Sequence, residues 1–237
     1  MARATAERLV GGGASVAIVD LPSSAGADVA AVLGGTFHEC DVTDDAGLEA
    51  AMAAAVESLG GLHISVNTAG GGIASRTLGK DGPHPIDSFR MVIELNLVSC
   101  FNVSRLAASH MSANEPDDGE RGVIINTASI AAFEGQIGQV AYSAAKAGIA
   151  GMCLTMARDL GSFGIRVLAI APSLFSTGVT AGMPEEFGLS LTKDAAFPKR
   201  MGRPDEYAKL AVAIVENAML NGSCIRLDAG QRFAPKP

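Results

Sequence analysis

Three residues within SIAAFEGQIGQVAYSAAK, positions 129–146, have the types and spacing to move a proton: Ser129, Tyr142 and Lys146. Tyr142 and Lys146 stand four apart on a helical stretch, which puts both side chains on one helix face. A phenol with an ordinary pKa of about 10 is a poor base at neutral pH. An ammonium beside it favours the phenolate and lowers that value. The pair therefore makes a plausible general acid/base for a hydroxyl proton. Ser129 closes the apolar run GVIINTAS (122–129) and is placed to hold the reacting oxygen by a hydrogen bond. The plainer alternative is a surface helix carrying an unrelated Tyr and Lys. Against it, the chain has only 2 tyrosines, and this one follows a serine at a strand's carboxyl end.

Other residues suggest a bound dinucleotide. In VNTAGGG (66–72), Asn67 can bond the backbone of a neighbouring strand, and Ala69-Gly70 let a flat ligand come close to the chain. An ordinary glycine turn is the alternative. Asn96, in ELNLVSCFNVSRL, sits mid-helix, where Asn is mildly unfavourable. It either binds backbone, serves a proton path, or is a satisfied core amide. Asp20 ends the strand SVAIV (15–19), where a carboxylate accepts from a ribose 2′-hydroxyl and repels a 2′-phosphate. No Lys or Arg follows in Leu21-Pro22-Ser23-Ser24 to receive that phosphate, so NAD is expected over NADP. Helix capping is the alternative role, although Ser23 or Ser24 could supply it.

The elements that must position these residues alternate along the chain. Strands are expected at 15–19, 36–38, 63–66, 122–129, 165–171 and 223–227. Helices are expected at 2–10, 24–33, 45–59, 87–111, 139–162 and 204–219. The strands are nearly continuous apolar runs, the pattern of a parallel sheet buried on both faces. Strand–helix alternation over the whole length implies an α/β fold: one Rossmann-like, doubly wound parallel sheet with helices on both faces. Gly11-Gly12-Gly13 lies after a helix and before a strand, so it reads as a helix stop. A pyrophosphate loop follows a strand and opens a helix instead. The irregular stretches 70–86 and 172–202 follow strand ends, where ligands bind in such sheets. Within them, 79–87 and 184–200 are expected to shape the pocket.

Composition narrows the classes. The 237 residues, 48% of them hydrophobic, suffice for one sizeable α/β domain. A net charge of −7 without a basic run disfavours nucleic acid as a partner. Cys40, Cys100, Cys153 and Cys224 are scattered, which indicates neither a disulfide framework nor a zinc site; no metal is expected. A reducing, cytoplasmic setting follows. Glu7 and the glycines exclude a signal peptide, and no uninterrupted apolar run reaches membrane-spanning length.

Together these residues resemble the short-chain dehydrogenase/reductase family. The resemblance implies a catalytic set of Asn96, Ser129, Tyr142 and Lys146, with Asn96 holding a water that links Lys146 to solvent. Asn67-Thr68-Ala69-Gly70 is similar to the family's NNAG segment, with Thr in place of the second Asn. Pro172-Ser173 is similar to its PG segment, with Ser in place of Gly. From Ala4 onward, segments such as AAFEGQIGQVAYSAAK, FPKRMGRPDEYA and NGSCIRLD resemble the type II 3-hydroxyacyl-CoA dehydrogenases. That likeness implies Asp41 and Val42 flanking the adenine, Phe175 and Thr177 on the nicotinamide side, Gln139 near the substrate, and a homotetramer. The implied reaction is NAD-linked interconversion of a secondary alcohol and a ketone, with Lys146 also binding the nicotinamide ribose. The family's TGxxxGxG strand and loop have no counterpart here, so the sheet is expected to lack its usual first strand and to carry a gap. Residues 1–237 are expected to form a single NAD-binding domain, N-terminally incomplete. Three activities stay open: the acyl-CoA dehydrogenase, a non-catalytic short form acting as a subunit or binding protein, and a hydroxysteroid or small secondary-alcohol dehydrogenase.

Overall fold

A strand at the centre of a parallel sheet meets helices on both faces and needs apolar side chains throughout. Gly122–Thr127 and Ile165–Pro172 are such strands, buried at every position. The computed structural model describes residues 1–178, 188–189 and 191–236. Within them, α1 spans Ala2–Gly11, β1 Ala17–Asp20, α2 Gly26–Leu33, β2 Thr36–Glu39, α3 Asp45–Leu59 and β3 Ile64–Asn67. A small hairpin, β4 Leu78–Gly79 and β5 Gly82–Pro83, interrupts the expected polar loop. Next come α4 Ile86–Ile93, a π turn over Glu94–Val98, α5 Ser99–Met111 and β6 Gly122–Thr127. Then follow α6 Val140–Leu160, β7 Ile165–Pro172, α7 Pro204–Glu216 and β8 Cys224–Leu227.

The doubly wound parallel arrangement is the expected one, and it carries the expected gap: the strands pair as β1-β2 and as β3-β6-β7-β8. Between them lies a cavity of about 760 Å³, lined by β1 (Ala17 to Asp20) on one side and β3 (Ile64 to Asn67) on the other. The absent strand expected from the sequence corresponds to this slot. Register elsewhere is regular, with Asn67 opposite Asn126, and Thr127 opposite Ile170.

Alternation along the central strands sends side chains to both faces of the sheet, where they join hydrophobic clusters. Ile124, Ile165 and Val167 pack with Leu48, Met52, Leu106 and Met111 of α3 and α5. Val123, Ile125, Leu168 and Ile170 pack with Tyr207, Ala211 and Ile214 of α7, and Met1 joins them. The sequence shows no uninterrupted apolar run of membrane length, yet the helical stretches Ile86–Met111 and Val140–Phe163 are long and apolar enough overall to cross a membrane. Here each turns an apolar side into the domain, through Val92, Leu106 and Met111 in the first and Ile149, Cys153 and Met156 in the second. The triple glycine ends α1 as expected: Gly12 caps the helix, and Gly13 turns the chain at φ +94°, a conformation open to glycine.

A buried charge ties the sheet to α7. The Arg166 guanidinium, 7% exposed, donates to the Ile214, Val215 and Leu220 carbonyls, at 2.9, 3.1 and 2.9 Å. It also donates to Glu120 Oε1 at 2.8 Å. Those carbonyls belong to the helix end and the turn beyond it, where helical partners run out. Arg166→Met is expected to lower unfolding free energy by roughly 3 kcal/mol in urea denaturation, because it strips a buried pair of one partner. A loss below about 1 kcal/mol would show that the charge adds little.

Candidate active site

Ser129, Tyr142 and Lys146 come together as the spacing predicts. Ser129 follows β6 in extended backbone and starts the short turn 130–132, its Oγ accepting from the Ala131 N–H at 3.1 Å. The Tyr142 side chain, half-buried on the first turn of α6, faces the Ser129 hydroxyl, which favours its phenolate form. One turn later, the Lys146 ammonium stands 5.5 Å from the centroid of the Tyr142 ring. It is 3% exposed and donates to the Thr127 carbonyl at 2.8 Å.

The electrostatics correct one expectation. The Tyr142 hydroxyl is held above its ordinary value of 10, because burial outweighs the Ser129 hydroxyl that favours the phenolate. The cost of burial falls on the lysine too, lowering Lys146 from 10.5 to about 8. Cys100 lies beside that ammonium, and burial pushes its thiol up to about 11, so it stays neutral. The sequence argument counted the charge and omitted the desolvation.

Asn96 is fully buried, and its π turn is a distortion that recurs at functional sites. Its Nδ2 donates to the Gly71 and Val92 carbonyls at 2.7 and 2.8 Å, and its Oδ1 accepts from the Gly71 N–H at 3.2 Å. The backbone-binding role is thus the observed one, and it clamps the loop after β3. Gly70, at φ +150°, passes so close that a Cβ would lie 2.5 Å from Asn96 Oδ1 and 3.3 Å from Lys146 Nζ. Asn67 also needs correction: its Nδ2 donates to a side chain, Asn126 Oδ1, at 2.7 Å, and not to the neighbouring backbone.

The expected cofactor residues divide into two groups. Asp20, Asp41, Val42, Asn67, Thr68, Ala69 and Gly70 all line the 760 Å³ cavity. Asp20 is exposed, with Oδ1 accepting from the Leu21 N–H at 2.8 Å. Asp41 Oδ1 accepts from the Thr43 N–H and hydroxyl at 2.9 and 2.7 Å, which holds its carboxyl below the usual range. Pro172 ends β7, and the Ser173 N–H bonds the Leu227 carbonyl at 3.2 Å. Ser173 is not among the residues with positive φ, so Ser in place of Gly brings no strain. Phe175, implied on the nicotinamide side, is buried in the core beside Tyr207, its ring packed under Gly202. Thr177 is half-buried nearby in the chain. Gln139 precedes α6 and closes a turn by accepting from the Gln136 N–H at 3.0 Å. Of the stretch 184–200, residues 184–187 and 190 lie outside the described ones.

A dinucleotide fits these residues on one structural ground. The glycine at 70 leaves the space beside Lys146 that a Cβ would fill, on a cavity whose other rim carries Asp20 and Asp41. Sequence reasoning missed Thr127, whose carbonyl holds the ammonium. It also missed Tyr207, whose hydroxyl meets Thr127 Oγ1 at 2.7 Å. A backbone acceptor has no signature in residue type, whereas a second tyrosine in so aromatic-poor a chain was a usable signal.

The chain belongs to the short-chain dehydrogenase/reductase family and is an oxidoreductase: residues 1–232 match the family pattern described as Enoyl-(Acyl carrier protein) reductase. More particularly, it is similar to 3-hydroxyacyl-CoA dehydrogenase type-2 of Drosophila melanogaster, 50% identical over 99% of this chain and 94% of that protein. The crystal structure of 3-hydroxyacyl-CoA dehydrogenase type-2 from Mycobacterium avium superposes with a TM-score of 0.94, at 43% identity over 98% of this chain and 92% of that one. A 7α-hydroxysteroid dehydrogenase, complexed with NADH and 7-oxo glycochenodeoxycholic acid, superposes with a TM-score of 0.84 at 29% identity, covering 97% and 89% of the chains.

Lys146 makes the site a drain on stability. Its pKa falls on folding, so between pH 8 and 10.5 the unfolded chain binds more protons and stability rises with pH. Below pH 8 the penalty is present in full. Lys146→Met is therefore expected to raise the unfolding free energy at pH 7 by an amount on the order of 2 kcal/mol, and with it the Tm. The advantage should shrink as pH approaches 10.5. Calorimetric melting across that range checks it; a lower Tm at pH 7 would refute the desolvation argument.

Proposed function

We propose that this chain is an NAD-dependent dehydrogenase interconverting a 3-hydroxyacyl-CoA and the matching 3-ketoacyl-CoA, working in fatty acid metabolism as a homotetramer. The observation that carries the reading is the convergence of the Ser129 and Tyr142 side chains with the buried Lys146 ammonium, 5.5 Å from the Tyr142 ring centroid on the same helix face. The names of the Drosophila and Mycobacterium relatives support the acyl-CoA choice. Apolar side chains left exposed on the long helices (Met91, Phe101, Leu154 and Phe163) support association with further copies. Four free cysteines support a reducing, cytoplasmic setting.

Asp20, Asp41, Val42, Asn67, Ala69, Gly70, Tyr142, Lys146, Pro172, Phe175 and Thr177 would hold NAD, with the Asp20 carboxylate selecting against a 2′-phosphate. When bound, the nicotinamide supplies the acceptor or donor of hydride. Every other part of the reaction belongs to the chain. The Ser129 hydroxyl holds the substrate oxygen in line with Tyr142. In ketone reduction Tyr142 gives that oxygen its phenolic proton. The raised proton affinity of Tyr142 keeps this donor form filled at neutral pH. In alcohol oxidation the phenolate must take the proton instead, so oxidation should gain rate as pH rises. Lys146 directs its remaining N–H groups to the nicotinamide ribose, and Gln139 lies on the substrate side.

The assay is reduction of acetoacetyl-CoA with NADH, beside a calorimetric titration of NADH. Wild type is expected to turn over. Tyr142→Phe should lose about a thousandfold in kcat, within the usual span for a positioned acid, and keep its NADH affinity. Retained turnover in that variant would remove the proton-transfer role. Reduction of a steroid ketone with none of acetoacetyl-CoA would shift the substrate class, and absence of NADH binding would leave a non-catalytic subunit.

A further inference from the structure

We infer that Tyr207 is a positioning residue for Lys146, acting through Thr127. Tyr207 lies in the first turns of α7, fully buried among Val123, Ile125 and Phe175. A phenylalanine would fill the same space without burying a hydroxyl. A buried hydroxyl is unfavourable unless it is partnered, so the identity of its partner is informative. That partner is Thr127 Oγ1 at 2.7 Å, on the last residue of β6.

Proton counting fixes the direction of the bond. The Thr127 hydroxyl has a single proton, and its Oγ1 stands 2.6 Å from the Asn67 carbonyl, which can only accept. The proton is committed there, so the Tyr207 hydroxyl must donate to Thr127 Oγ1. The result is a directed chain from Tyr207 through Thr127 to the Asn67 carbonyl, crossing from α7 over the end of β6 to the end of β3. The other face of the same residue completes it, since the Thr127 carbonyl accepts from Lys146 Nζ at 2.8 Å.

This crossing point governs more than one group. Three residues beyond Asn67, Gly70 passes beside Lys146 Nζ. Two residues beyond Thr127, Ser129 faces the Tyr142 side chain. Any shift of Thr127 therefore moves the lysine's acceptor and the serine together, relative to α6. Tyr207 holds the strand end that places the ammonium. The inference rests on Lys146 serving the Tyr142 site, and it assigns Tyr207 no contact with the substrate.

The test compares Tyr207→Phe, Thr127→Val and the double variant in the NADH-dependent assay, reading kcat, KM and the pH dependence of kcat. Each single variant is expected to lower kcat about tenfold, the size of effect that follows from losing one well-made hydrogen bond. The alkaline limb of the pH profile should move, because the environment of Lys146 changes. The double variant should be little worse than either single one, as for groups acting in one chain. Tyr207→Phe with wild-type kcat and an unmoved pH profile, whatever its Tm, would overturn the inference and leave a core residue. If Tyr207→Phe fails to fold, Thr127→Val decides by the same two readouts. Lys146→Met, assayed alongside, separates the failures: full turnover in that variant would fell the reading of the site itself, and Tyr207's role with it.

Discussion

A single hydrogen bond from the Lys146 ammonium to the Thr127 carbonyl is the contact around which this site is arranged. An ammonium this deeply buried has lost its water, and the low dielectric makes any remaining partner matter more. The sheet supplies that partner at the carboxyl end of β6, where the chain leaves the ladder and a carbonyl is free to turn. From that point outward each neighbour is constrained. Gly70 must lack a side chain, Asn96 must hold the loop that carries it, and Ser129 must emerge at a fixed distance from Tyr142.

The same layout separates two tasks between two sheets. Proton handling is built on the four-stranded sheet and α6, the most deeply buried part of the domain. On the proposed reading, recognition of the far end of the cofactor would fall to Asp20, Asp41 and Val42, which line the cavity from the two-stranded sheet and the turn that follows it. The cavity between the sheets is bounded by two strand edges, whose outward N–H and C=O groups have no ladder partner across it. Catalytic geometry therefore depends on contacts within one sheet, whereas cofactor affinity depends on how the two are held relative to each other.

Much of this was legible in the residues because periodicity and spacing are local. The runs at 122–127 and 165–172 announce a doubly covered strand, and i, i+4 places Tyr142 over Lys146. The expected gap follows from a strand that has no counterpart in the sequence. What escaped was set by environment. The direction of the Tyr142 shift is set by burial, which outweighs the Ser129 hydroxyl that favours the phenolate. Asn67 bonds a side chain because register puts Asn126 directly opposite it. That the Phe175 ring packs in the core under Gly202 is likewise set by tertiary contact and not by any local pattern. The partners of Thr127 and Tyr207 lie 60 and 80 residues away in sequence, beyond the reach of any local pattern.

The central claim is that burial, and not the adjacent ammonium, sets the proton affinity of Tyr142 in the free protein. With only 2 tyrosines in the chain, ultraviolet difference absorbance against pH reads it directly, since burial holds the Tyr207 hydroxyl above its ordinary value too and a Tyr142→Phe variant assigns the signal. The account predicts a Tyr142 midpoint above pH 10, the ordinary value from which it is raised. A phenolate appearing well below that pH, and lost in Lys146→Met, would contradict it.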